Sequence, residues 1–219
     1  KVELHQPKFL NYIIFIYCKS SHLCIVNKDK QYLKNNKMTT SEKRTYTVPT
    51  REEVSANNQG MFDNLQKGLG FVPNLYAYFA KNETALGDYL TLQNRKSTLR
   101  AKEREVINLV TSQINGCRYC QSAHTALGKM NGFTDEQILE IRKGTASFDS
   151  KLDALAKFTA SAVENRGRAT EESKEAFFGA GYNEANMIDV IIVVGDKIIS
   201  NYIHNLTVFE IDFPVAEKL

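Results

Sequence analysis

What most constrains this chain is its punctuation: apolar residues recur at three- and four-residue spacing, and each run is closed by Gly or Asn and reopened by a capping residue. Thr50 with Glu53 reads as a capping box opening a helix whose apolar face continues through Met61, Phe62 and Leu65 until Gly68 and Gly70. Pro73 opens a segment with Leu75, Tyr78 and Phe79 at helical spacing, and Asn82 starts another through Leu86 and Leu90. From Arg100 to Ile114 the residues are strong helix formers, with Val106, Ile107, Val110 and Ile114 on one face. Asn115-Gly116 stops that helix, and the next runs from about Arg118 to Met130. Thr134 with Gln137, then Thr170 and Asn183, mark later N-termini. No strand alternation is sustained enough to build a sheet, so the expected class is all-α, a single-domain helical bundle over residues 48–219.

Residues 1–37 differ from the rest. They hold seven lysines against two acids, whereas the remaining chain has twenty-one bases against twenty-three acids, a net of −2. The weak overall charge of +3 therefore belongs to the leader and gives no ground for nucleic-acid binding. The first Met is Met38, which makes it the expected start of the folded chain. Residues 1–47 are expected to be disordered and 1–37 dispensable. The apolar run Phe9 to Cys18 is too short to span a bilayer. No membrane partner is expected, and the expected location is cytoplasmic.

Cys18 and Cys24 fall in the leader, and Cys117 and Cys120 in the domain. Two cysteines three apart cannot frame a fold with disulfides, so the second pair is reactive or metal-binding. Cys117 follows the Asn-Gly break at a helix N-terminus, where free N–H groups and the helix dipole favour a thiolate. His124 lies four residues after Cys120, so Cys117, Cys120 and His124 share a helix face. A histidine so placed can take a thiol proton or, when charged, stabilise the thiolate. Glu105, twelve residues before Cys117, returns to the level of His124 if the two helices form an antiparallel pair, and could then orient the imidazole. A zinc site is the competing reading, but one helix supplies only three ligands. His204 reads as a structural histidine, and Arg142-Lys143 as a solvated helix end.

The pattern Glu105, eleven residues, Cys117, two residues, Cys120, three residues, His124 resembles the alkylhydroperoxidase-like family of the carboxymuconolactone decarboxylase superfamily. The lead-in Asn115 to Cys120 is similar, as are Asn201-Tyr202 and Asp212-Phe213-Pro214 to the tail of the peroxidase-related branch. The resemblance covers roughly residues 48–215. It implies an all-helical homotrimer or homohexamer that reduces hydroperoxides as an antioxidant enzyme, without a metal or other cofactor, drawing on a dithiol or protein reductant. By that likeness Cys120 is oxidised to a sulfenic acid, while Cys117 protonates the leaving group and then closes a disulfide. His124 and Glu105 relay the proton. Tyr119 departs from members that carry His before the second Cys, which puts strong peroxidase activity in doubt. Lactone decarboxylation is not expected. A thiol–disulfide oxidoreductase or a redox sensor remains the alternative. The two arguments differ over the attacking thiol: helix-terminus electrostatics selects Cys117, the family and the histidine spacing select Cys120.

Overall fold

A computed structural model describes residues 44–219; the expectations for residues 1–37 lie outside this range. The principal unit is Thr45–Leu219. Among the described residues it contains nine α-helices, one 3-10 turn and no strand. They are α1 (Ala56–Leu69), α2 (Asn74–Phe79), α3 (Ala85–Gln93), α4 (Ala101–Ile114), α5 (Arg118–Met130), α6 (Asp135–Arg142), α7 (Ser150–Glu164), α8 (Glu171–Gly179) and α9 (Glu184–Thr207).

Most boundaries follow the local chemistry. Thr134, Thr170 and Asn183 cap α6, α8 and α9 through their side chains. Gly70 ends α1 in the left-handed region at φ 84°. The first helix begins later than expected. The Thr50 amide does donate to Glu53 Oε2 at 2.7 Å, but the box closes only the 3-10 turn Arg51–Glu53. Ser55 then caps α1 proper. Both residues are competent caps, and Val54, buried in the core between them, separates the two segments.

Helix α4 is the axle of the bundle, packing most extensively on α5, α7 and α9. Val106, Ile107, Leu109 and Val110 are fully buried; each contributes roughly 1.5–3 kcal/mol of apolar transfer. They join Leu155, Phe158, Phe177 and Val190 in one apolar cluster. A second cluster gathers Phe62, Leu75, Phe79, Leu86 and Tyr89 from α1–α3 around Cys117, Tyr119 and Cys120. No helix among the described residues is long and apolar enough to cross a membrane.

Arg142 corrects the sequence reading. Lys143 is exposed, but Arg142 retains 2% of its accessible surface. Its guanidinium donates to Gln113 Oε1 at 2.8–2.9 Å and to the Glu217 carbonyl at 2.8 Å. Arg118 donates to the Ala216 carbonyl, and the Ala216 amide to Ser122 Oγ at 3.0 Å. The two arginines thus pin the C-terminal tail against α5. Arg142→Ala removes these hydrogen bonds together with the packing of a buried side chain, at a cost of about 2 kcal/mol. Thermal denaturation should show a fall of roughly 4–8 °C, with Lys143→Ala unchanged; equal melting temperatures would contradict this role for Arg142.

Candidate active site

The α4–α5 connection is a tight antiparallel hairpin. Gly116 takes φ 65°, a conformation that suits glycine, and the Cys117 amide donates to the Ser112 carbonyl at 3.1 Å. Cys117 becomes the N-cap of α5, its Sγ accepting from the Cys120 amide at 3.4 Å. The hairpin returns Glu105 to His124, and His124 Nδ1 meets Glu105 Oε2 at 2.8 Å. The other Glu105 oxygen accepts from Asn108 Nδ2 at 3.1 Å. The expected orienting contact is therefore present, between two buried side chains.

The far side of the imidazole differs from expectation. His124 Nε2 lies 3.1 Å from Lys197 Nζ, and no His124 hydrogen bond to either sulfur forms among the described residues. An ammonium can only donate, so Nε2 accepts and Nδ1–H donates to Glu105. Lys197 comes from α9 and retains 3% exposure. Burial opposes its charge, but Tyr89, Asp196 and Cys120 together outweigh burial and raise its pKa. Asp196 approaches to 3.6 Å and accepts from Gln93, which also donates to Tyr89 and accepts from Tyr76. Glu105, despite burial, is held below the usual carboxylate range by His124 and Lys197.

Sequence reasoning missed Lys197, although a signal existed. Val190, Val193, Val194, Lys197, Asn201 and His204 follow helical spacing, so the lysine falls on the inward stripe of an apolar helix. A cation there needs a buried partner.

The two thiols diverge. Cys120 is drawn down to about 6: the Cys117 thiol donating to its sulfur is the largest cause, and Lys197 and His124 overcome the opposing burial. Cys117 is pushed far up, by that same hydrogen bond and by burial. Helix-terminus amides do point at Cys117, yet its thiol is the donor in the hydrogen bond to Cys120, and Lys197 adds its charge on the Cys120 side. Both cysteines are free and buried.

A cavity of about 490 Å³ opens beside Cys120. Cys120, His124, Glu105 and Lys197 all line it, and Cys117 does not. Its walls include Phe71, Leu75, Tyr89 and Phe213. Part of its rim, the segment after α3, is anchored by Asp189, which accepts from Ser97 Oγ and Thr98 Oγ1. Tyr119 points elsewhere in function: its hydroxyl accepts from the Leu75 amide at 3.2 Å and its ring packs on His204, Phe209 and Phe213. His204 donates to the Phe209 carbonyl at 3.1 Å and is structural, as expected. Among the described residues no three of His, Cys, Asp or Glu converge in a metal-binding arrangement.

Fold and site together define an all-helical protein with a buried dithiol. The profile of the carboxymuconolactone decarboxylase family matches residues 79–161. A peroxidase-related protein from Silicibacter sp. superposes with a TM-score of 0.67 at 25% identity, over 79% of this chain and 94% of its own. An alkylhydroperoxidase-core, peroxidase-related protein from Ralstonia eutropha gives 0.67 at 20% identity, over 78% and 92%. The debrominase Bmp8 gives 0.63 at 17% identity, over 76% and 91%. The last two likenesses bear on the fold alone. No curated protein matches. The family match and the likeness to the Silicibacter protein support an alkylhydroperoxidase-like member of the carboxymuconolactone decarboxylase superfamily.

The electrostatics set a measurable titration. Alkylation of the reduced protein by iodoacetamide, followed by mass spectrometry, should modify Cys120 with a pH midpoint of about 6. The rate falls below that midpoint as the thiolate is protonated. Lys197→Met should move the midpoint upward; an unmoved midpoint would remove the lysine from the account.

Proposed function

We propose that the protein is a dithiol peroxidase that reduces organic hydroperoxides. The observation carrying this reading is the asymmetry of the pair: the sulfur held as thiolate faces the cavity and its partner does not. The Cys120 thiolate attacks the terminal oxygen of ROOH, forming S–OH as the O–O bond breaks. The departing alkoxide takes a proton and leaves as ROH. Cys117 is outside the cavity lining, so we assign that proton to Lys197, whose ammonium faces the cavity. His124 and Glu105 hold Lys197 in place, and the ammonium regains its proton from solvent through the cavity. Cys117 then gives up its own proton and attacks the Cys120 sulfur. Hydroxide is displaced and leaves as water, closing a disulfide. An external dithiol restores both thiols. Deep burial of Cys120 favours a small substrate over a protein disulfide, which needs a sulfur within reach of another surface.

The division of labour is testable by trapping. Cys117→Ser should accumulate a Cys120 sulfenic acid that dimedone labels, since no thiol remains beside it to condense. Cys120→Ser should show little adduct, and both variants should lose turnover. The reverse labelling would exchange the roles. Trapping in neither, with wild type inert to hydroperoxides, would overturn the peroxidase reading.

We also propose self-association through α9. Ile188, Ile191, Ile199, Tyr202 and Leu206 are exposed and fall on one stripe of this helix, an apolar face suited to a second copy of the chain. Light scattering at micromolar concentration should give an oligomer, which Ile191→Glu with Tyr202→Glu dissociates. A wild-type monomer would contradict it.

A further inference from the structure

The cavity contains two groups that the peroxidase chemistry leaves unused, both on α4. Asn108 lines it and is 7% exposed. Its Nδ2 donates to Glu105, which fixes the amide's orientation: the flipped form would set two oxygens against each other. Its Oδ1 is buried without a hydrogen-bond partner. A buried acceptor left empty is costly, and its residue lines a cavity from which a ligand could supply the donor.

Arg104 stands one turn earlier, about 6 Å along the axis. It also lines the cavity. The other charges of the lining are matched: Lys197 by Asp196, Glu105 by His124, and Arg95 by Asp189. The Arg104 guanidinium has no ion pair or hydrogen bond among the described residues. The wall thus holds an unspent cation and an unspent acceptor in a cavity that also has the apolar walls Phe71, Leu75, Tyr89 and Phe213.

We propose that this wall selects hydroperoxides of apolar carboxylic acids: Arg104 takes the carboxylate, Asn108 accepts the hydroperoxyl hydrogen, and the aromatic wall takes the carbon body. The planar guanidinium offers paired N–H groups that suit a carboxylate. Asn108, hydrogen-bonded to Glu105, would place the hydroperoxyl group in the part of the cavity that holds the catalytic side chains. The hydroperoxyl half of this inference rests on the peroxidase reading; the carboxylate half does not.

The two are separated by measuring binding without chemistry. The reduced protein is titrated calorimetrically with phenylbutyrate and with phenylbutanol, which share a body and differ in charge. Phenylbutyrate should bind about tenfold more tightly, and Arg104→Gln should abolish the difference. Asn108→Ala should leave the phenylbutyrate preference in place and raise the KM of the hydroperoxides severalfold. Equal affinities in wild type, or an advantage that survives Arg104→Gln, overturn the proposal. In parallel, the wild type is mixed with phenylalkyl hydroperoxides with and without a carboxylate. A tenfold lower KM for the acid, lost in Arg104→Gln, supports the whole inference. If neither hydroperoxide reacts while the phenylbutyrate preference stands, the peroxidase reading falls and the anion subsite remains.

Discussion

A lysine at 3% exposure cannot carry its charge alone, and the arrangement of the site follows from how Lys197 is satisfied. It requires an anion nearby, found in Asp196, and an acceptor, found in His124 Nε2. Because Nε2 accepts, Nδ1 must donate, and Glu105 is the carboxylate placed to receive it. The hydrogen bond from the Cys117 thiol, with the same lysine charge added to it, favours a thiolate at Cys120 over one at Cys117. Lysine, histidine and glutamate thus form one connected set, in which the loss of any member leaves another buried group unpaired.

The helical scaffold serves this set by bringing together distant parts of the chain. The α4–α5 hairpin contributes Glu105, Cys120 and His124 within twenty residues, held rigid by the packing of α4 at the centre of the bundle. Lys197 and Asp196 arrive from α9, and Gln93, Tyr76 and Tyr89 from α2 and α3. The C-terminal tail is fastened over α5 by Arg118 and Arg142, which leaves Phe213 packed on Tyr119 at the cavity wall. Tyr119 is occupied with this packing and with the Leu75 amide.

Much of this was legible in sequence, because much of it is local. The capping chemistry at Thr134, Thr170 and Asn183 and the Asn115-Gly116 break are short-range signals, and the hairpin they imply was enough to pair Glu105 with His124. What escaped depends on distant contacts. Spacing within α5 suggested that His124 addresses Cys120 directly, and nothing within that helix reveals that Lys197 fills the position beside its ring. Arg142 resembled a surface arginine because its partners Gln113 and Glu217 are far away in sequence. The start of α1 was ambiguous because Thr50 and Ser55 are equally good caps, and core packing of Val54 decides between them.

The most direct measurement of the central claim is single-turnover oxidation of the reduced protein by cumene hydroperoxide, read by stopped flow and by the mass of the peptide containing both cysteines. The account predicts that the first oxygen is added at Cys120, with a rate that rises through about pH 6 and then levels off. It also predicts that Lys197→Met slows the reaction at neutral pH by about tenfold or more, because less thiolate remains. First oxidation at Cys117, or an unchanged rate in Lys197→Met, would contradict the claim that Cys120 is the reactive thiol and that the buried lysine contributes to its reactivity.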